Sequence, residues 1–533
     1  MYISLYVWEA DVAHRTHPCL ALPGTEMKLM EARQPWVLVC AGMNLILAQY
    51  WIMREYQLVF ASSEVSVLLA AVSFFASCSL GYLLAPKRLE RFFPWLCLLL
   101  FLLHLLLPWV FKEVAAIFYR QERPHITPAL MGMGILLVAP LYTVLLPFFI
   151  GAREEAEGRI TGEAVTSCYG LELCGALVGI VAVLTAGRIG ILPLLVLYFL
   201  NFSLILAYVF GSKKILYLAV PASLLYGFLY LPLERAASED FYRSREFEPN
   251  LRLLATAQSL YNRIDVLQKP LGEKLLLLNG REYFNPTDLE SFNRYLAGIP
   301  SSLMPGSKVL IVGTGSLSSV YHASRSAATV ESVEIDEQVV ALTKDLFREY
   351  NHLETVKNWR LHIDDAKHFL GSTEERYDLI AIDMVPPVYV QTALLFSREF
   401  YELAKQRLTP RGVLSIYTGG WLGEAELTLH AYNPVKTIDE VFPEYLVVNS
   451  RGAGMAFVYA SPHMPFGKRE LLALLEASGT REQDEVFEPS EARPLIARQR
   501  VSSMEDLRIV LEWAPTGYRD FVSSFGFGLG VRP

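Results

Sequence analysis

Seven apolar runs recur along the first half of the chain, at roughly 36–60, 65–85, 92–111, 127–150, 165–187, 189–210 and 215–233, separated by charged or Gly/Pro-bearing breaks. A hydrocarbon layer about 30 Å thick takes about 20 apolar residues per helix, so each run predicts a membrane-spanning helix. From residue 259 the period changes. Short strand-like stretches at 261–267, 274–278 and 280–284, with Gly/Pro punctuation, predict a small β-layer. Strands at 308–312, 330–335, 360–363, 377–383 and 412–417 then alternate with helices, one of them at 397–408. Alternation of this kind predicts an α/β, Rossmann-like domain with a doubly wound parallel sheet. Further helices are expected near 468–477 and 504–513.

Composition sharpens the division. Residues 36–233 hold only 22 of the chain's 102 charged residues, although the chain as a whole is 53% hydrophobic. This rules out a purely cytosolic or secreted protein. The expected organisation is an N-terminal tail (1–35), a helical membrane domain (36–233), a linker and small β-domain (234–300), a Rossmann-like nucleoside-binding domain (301–462) and a C-terminal helical extension (463–533). The net charge of −8 falls almost wholly on the part after 233, so no basic footprint for nucleic acid exists. All six cysteines precede residue 175 without a Cys-x-x-Cys, which predicts apolar packing and no metal site. Residues 1–26 do not read as a signal peptide, and Met27 reads as a more natural start.

Within the membrane half, Trp36, Trp51, Trp95 and Trp109 are expected as interfacial anchors. Tyr169, Glu172, Gly175 and Gly179 share one helical face, and the two glycines form a small-xxx-small contact. A carboxylate at that depth needs a partner or water, and Arg54, Glu55 and Glu64 are the candidates. Counting Lys and Arg in the loops places the N-terminus in the cytoplasm, whereas a nucleoside ligand argues for a cytoplasmic C-terminal domain. Together these require an even number of spans.

The chemistry begins after the strand at 308–312. Gly313-Thr314-Gly315-Ser316 follows it, with Glu334 21 residues beyond Gly313 at the end of the next strand, and Asp364-Asp365-Ala366 after the third. A glycine pair lets backbone approach a ligand, and an acid at the second strand end binds ribose hydroxyls. The glycine pattern is incomplete for NAD and no Walker lysine follows. An S-adenosyl sulfonium, which has no phosphate to cradle, fits better, with Gly313, Gly315, Ser316, Glu334, Asp364 and Asp365 as its site and Asp365 near the adenine amino group.

Here the chain resembles the spermidine synthase (polyamine aminopropyltransferase) family in a membrane-fused form, closely over about 255–460. Ser259-Leu260-Tyr261-Asn262 resembles that family's Ser-x-Tyr-Gln, Asn279-Gly280 its Asp-Gly hairpin, Val333-Glu334-Ile335-Asp336 its ribose-binding signature, and 395–401 its Leu-Phe-Ser-x-Glu-Phe-Tyr helix start. The resemblance implies S-adenosylmethionine or its decarboxylated form as co-substrate, Asp383 as the proton-accepting acid, and Asn262, Tyr283 and Asp288 at the acceptor. Three departures stand against a polyamine acceptor. Ser316 occupies the position of the acid that holds the donor's amine, Phe292-Asn293 replaces Tyr-His, and Pro386 replaces a second acid that seats the diamine.

Three readings follow. The first is a membrane-anchored transferase acting on a small amine. The second is a methyl or aminocarboxypropyl transferase for a membrane-borne acceptor among lipids. The third is a non-catalytic nucleoside-sensing or transport protein. A multi-pass location, in a bacterial inner membrane, and a possible homo-oligomer complete the expectations.

Overall fold

The structure is a computed structural model and describes residues 36–59, 64–83, 92–121, 142–147, 162–187, 189–284, 286–384, 390–418, 420–423, 432–450, 453–477 and 484–506, with single positions 132, 150 and 387. Among these, the first half forms six long apolar helices: α1 (Trp36–Val59), α2 (Glu64–Leu83), α3 (Phe93–Arg120), α4 (Gly162–Ala186), α5 (Ile191–Val209) and α6 (Leu216–Arg245). By length and composition, five of them can cross a membrane. They match six of the predicted runs; the run at 127–150 and the tail 1–35 lie largely outside the described residues. No disulfide joins the five described cysteines.

Helix α6 does not end with its apolar stretch. It continues through Glu234 to Arg245, so the start of the expected linker is a helical extension that carries the chain into the second half. Helices α1 and α4 touch backbone to backbone. An ideal Cβ on Gly42 would lie 2.0 Å from the Glu172 carbonyl oxygen, and one on Gly175 would lie 2.0 Å from that of Val39. The small-residue face on α4 therefore packs on α1, with the two helices running in the same direction.

Two expectations in this half fail. Trp51 is no anchor: it is buried, edge-on to the rings of Tyr198 and Phe199. Its neighbours on other helices decide its place, and a single helix's sequence does not show them. Glu172 is bonded by the Tyr82 hydroxyl at 3.2 Å, not by Arg54 or Glu55. Both of those reach elsewhere. Glu55 accepts from Lys112 Nζ at 2.5 Å, and Arg54 donates to the carbonyl oxygens of Ser259 (3.1 Å), Leu260 (2.7 Å) and Tyr261 (3.3 Å).

The second half holds two sheets. The smaller is antiparallel: β1 (Arg252–Gln258), β2 (Arg263–Gln268), β3 (Lys274–Leu278) and β4 (Arg281–Phe284). It begins seven residues earlier than the change of period at 259 indicates. The larger comprises β5 (Lys308–Val312), β6 (Thr329–Glu334), β7 (Trp359–Ile363), β8 (Tyr377–Ile382), β9 (Leu408–Thr418), β10 (Glu444–Ser450), β11 (Met455–Ser461) and β12 (Glu485–Phe487), in the order β12-β10-β11-β9-β8-β5-β6-β7. Strands β9, β8, β5, β6 and β7 are parallel. The other three are antiparallel, so the sheet is mixed and not parallel throughout. The reason lies in the connections. Only four residues separate β10 from β11, and a parallel crossover needs about a dozen. The helix at Lys468–Ala477 is present as expected; most of 504–513 lies outside the described residues.

A buried charge network ties the halves together. Lys112 on α3 pairs with Glu55 on α1 and, at 2.8 Å, with Glu234 on α6. Arg263 on β2 bonds Glu234 and, at 2.8 Å, Asp265, which also accepts from the Tyr242 hydroxyl at 2.6 Å. Alongside it, an ideal Cβ on Gly280 (φ +76°) would lie 2.1 Å from the Leu58 carbonyl oxygen, so the β3–β4 turn sits directly on the end of α1. Since α1 meets the second half at its Arg54–Leu58 end, its Trp36 end is at the far side of the bundle. In a spanning bundle the Trp36 end and the C-terminal domain therefore face opposite sides, and they cannot both be cytoplasmic.

Candidate active site

Strand order reverses between β5 and β8, and ligands of open α/β sheets bind beyond the carboxyl ends of strands at such a point. Both strand ends carry candidate residues. Gly313 follows β5, Asp383 follows β8, and the Asp383 amide donates to the Val312 carbonyl at 2.7 Å. Gly313 (φ +79°) has no room for a side chain, because an ideal Cβ would lie 2.4 Å from the Asp383 carbonyl oxygen and 2.5 Å from Met384 Sδ. At Gly315 (φ +43°) a Cβ would lie 2.5 Å from the Tyr283 ring. Two bare backbone positions thus line a cavity of about 490 Å³, within the usual range of small-molecule clefts.

The acids arrange themselves around this loop. Glu334, on the cavity wall, accepts from the Thr314 amide (3.0 Å), the Thr314 hydroxyl (3.2 Å) and the Asp336 amide (3.0 Å). Burial pushes its carboxyl above the ordinary range, against the pull of those two amides. Asp364 and Asp365 also line the cavity. Asp364 pairs with His368 at 2.8 Å, while Asp365 Oδ1 caps the helix α7 (Ala366–Ser372) by accepting from the amides of Lys367 and His368. Its Oδ2 carries neither cap bond.

Asp383 is buried, with Oδ2 accepting from the Ser319 hydroxyl at 2.5 Å. Burial raises its carboxyl to about 7, the Ser319 bond opposes this, and the charge of Glu334 adds to it. The carboxylate stands behind the wall made by Gly313 and Met384, and is not on the wall itself. Tyr283, which lines the cavity, donates to the Asp383 carbonyl at 2.9 Å. Asn262, also on the wall, donates to Asp336 at 3.0 Å and accepts from Asn279 at 2.9 Å. Ser259 donates to the same Asp336 oxygen at 2.6 Å. Asp336 thereby fastens the small sheet to the larger one.

Other expected positions lie apart from the cavity. Ser316 is buried and accepts from the Ser318 amide at 3.3 Å, turned away from the wall. Phe292 packs on Tyr417 and Phe457 in the core, and Asn293 is buried beside it. The side chain of Asp288 and all of Pro386 lie outside the described residues. Conversely, Ser319, Thr392 and Met384 carry no motif and escape sequence reading, as do Gln57 of α1 and Val67 of α2, which complete the wall from the membrane half. Only the packing of the two halves brings those last two here.

Two glycines bring backbone close to the cavity, and the acids Glu334, Asp364 and Asp365 line it. Two cations line the wall, Arg281 and Lys367, and Lys367 Nζ is turned to Met504 Sδ at 3.4 Å. No described cluster of His, Cys, Asp or Glu could hold a metal ion.

Fold and site together define a Rossmann-like domain with a mixed sheet, joined to a helical bundle. Residues 290–466 match the family model of the Spermine/spermidine synthase domain. Among similar proteins are the polyamine aminopropyltransferases of Lachnospira eligens and Prochlorococcus marinus. The first is 34% identical over 31% of this chain and 59% of its own, and the second is 29% identical over 38% and 72%. The chain thus spans little more than half of the first relative's length. The spermidine synthase of Thermotoga maritima is 21% identical over 50% of this chain and 87% of its own, with a TM-score of 0.36.

Proposed function

We propose that the C-terminal domain is a transferase using decarboxylated S-adenosylmethionine or S-adenosylmethionine as donor, anchored to a membrane by α1–α6. The observation that carries this reading is the meeting of the Gly313–Gly315 loop, Glu334 and Asp383 at the β5/β8 switch point. Glu334 would hold the ribose and Asp365 the adenine amine. A neutral nucleophile attacks the carbon beside the sulfonium, the carbon–sulfur bond breaks, and its electron pair stays on sulfur as a thioether. The proton released needs an acceptor. An amine of pKa about 10 is only about one part in a thousand neutral at pH 7, so a carboxylate titrating near neutrality is suited to take it.

A second reading has one observation in its favour. Ser316 is turned to the Ser318 amide and offers the cavity no carboxylate for the donor's amine. Methyl or aminocarboxypropyl transfer from S-adenosylmethionine itself is compatible with that. Incubating the full-length protein with each donor, labelled on the groups attached to sulfur, and identifying the nucleoside product separates the two. Methylthioadenosine marks aminopropyl or aminocarboxypropyl transfer according to the donor, and S-adenosylhomocysteine marks methyl transfer. Release of neither nucleoside contradicts the transferase reading. The nucleoside is made in the cytoplasm, so the domain is placed there, and the Trp36 end of α1 then lies outside.

A further inference from the structure

We propose that the acceptor is an amine-headed membrane lipid, delivered to the cavity at the ends of α1 and α2. The inference rests on the transferase reading and starts from the two membrane-domain residues on the wall, Gln57 and Val67. From Trp36 to Gln57 the helix rises about 32 Å at about 1.5 Å per residue, against a hydrocarbon thickness of about 30 Å. Gln57 therefore stands at head-group depth. Arg54, one turn before it, is bonded to the carbonyls of Ser259, Leu260 and Tyr261, and Leu58 packs against Gly280, so the β-layer side of the cavity is held at that depth.

Among the described wall residues, Glu282 is the one carboxylate nearer the membrane, whereas a dication suits two; at the adenosyl end Glu334 bonds the glycine loop, Asp364 pairs with His368 and Asp365 caps its helix through Oδ1. Nearer the membrane the described wall offers the guanidinium of Arg281, which suits the phosphate of a lipid head group. Gln57 Oε1 is buried with no hydrogen-bond partner among the described residues. A buried acceptor left unpaired is costly, and an N–H of the lipid head would satisfy it. In the reaction the lipid nitrogen bonds to the carbon leaving sulfur, the electron pair of the broken bond stays on sulfur, and the proton is relayed to Asp383, whose carboxylate does not itself line the cavity.

The test uses the full-length protein in vesicles of phosphatidylethanolamine and phosphatidylglycerol, with decarboxylated S-adenosylmethionine and S-adenosylmethionine labelled on the groups attached to sulfur. The expected result is label in the organic extract, none of it when phosphatidylglycerol is the sole lipid, and thioether nucleoside in the aqueous phase. Gln57→Leu should lower lipid labelling about fivefold, the scale of one hydrogen bond, with folding reported by an unchanged thermal unfolding midpoint in detergent. Label recovered on added putrescine at the same rate with and without bilayer overturns the lipid acceptor alone. So does unchanged lipid labelling in Gln57→Leu, or nucleoside binding with no labelled lipid. Absence of nucleoside binding by the unmodified protein overturns the transferase reading beneath it.

Discussion

Replacing Asp383 by Asn separates a buried proton acceptor from a simple loop cap. The Ser319 hydroxyl that now donates to Asp383 Oδ2 can donate equally to the amide oxygen, so the local bond survives the change. What disappears is the titration. Burial lifts the carboxyl from 3.8 to about 7, roughly three pKa units, and at about 1.4 kcal/mol each the cost of holding it ionised in the fold is about 4 kcal/mol. Between these two pH values the folded state binds more protons than the unfolded state. The contribution of Asp383 to stability therefore falls as pH rises from about 4 to about 7 and is flat above. Asp383→Asn should match the unmodified protein near pH 4 and exceed it by up to about 4 kcal/mol at pH 8.

Urea unfolding of the full-length protein in detergent, read by proteolysis of the β5–β9 region at each pH, measures the difference. Turnover by the unmodified protein should rise with pH through about 7, and the asparagine variant should lose about 100-fold or more with nucleoside affinity retained. A stability difference that does not change between pH 4 and pH 8 would refute the reasoning about burial. Full activity in the variant would remove Asp383 from the mechanism.

Lys112→Met leaves Glu55 and Glu234 buried without their shared cation, and breaking a buried pair in this way costs about 3–5 kcal/mol; thermal unfolding in detergent should show a large downward shift, and an unchanged midpoint would contradict the network's role. Gly313→Ala puts a methyl 2.4 Å from the Asp383 carbonyl at a left-handed φ, so nucleoside binding should be lost from a protein that remains helical, and wild-type affinity by calorimetry would show that the loop is elsewhere. Reporter fusions before Trp36 and after Asp506 should report opposite sides of the membrane, with the second cytoplasmic; both on the same side would contradict the arrangement of α1 against the C-terminal domain.

Much of this architecture is legible in the chain because its signals are local. Runs of apolar residues mark α1–α6, and the strand followed by Gly313-Thr314-Gly315, with Glu334 closing the next strand, marks one wall of the cavity. The antiparallel strands β10–β12 were not anticipated, since their pairing depends on a short connection and on which edge of the sheet is free. Glu172 and Trp51 show the same limit inside the bundle. Each is a residue whose partner, Tyr82 for one and Tyr198 for the other, lies on a different helix. Asp383 is placed correctly at its strand end, yet its partner Ser319 and its position behind Gly313 and Met384 belong to tertiary packing. Gln57 is the extreme case, because nothing in the sequence of α1 says that its end reaches the cavity.

The central claim is that the cavity beyond β5 and β6 takes an S-adenosyl nucleoside. Isothermal titration of the full-length protein with decarboxylated S-adenosylmethionine and with S-adenosylmethionine, beside Glu334→Ala, tests it most directly. A hydrogen bond to a charged group is worth about 1.5–3 kcal/mol. The account therefore predicts saturable binding to the unmodified protein, weakened roughly 10- to 150-fold in a folded Glu334→Ala variant. No binding of either nucleoside, or equal affinity in the variant, would contradict it.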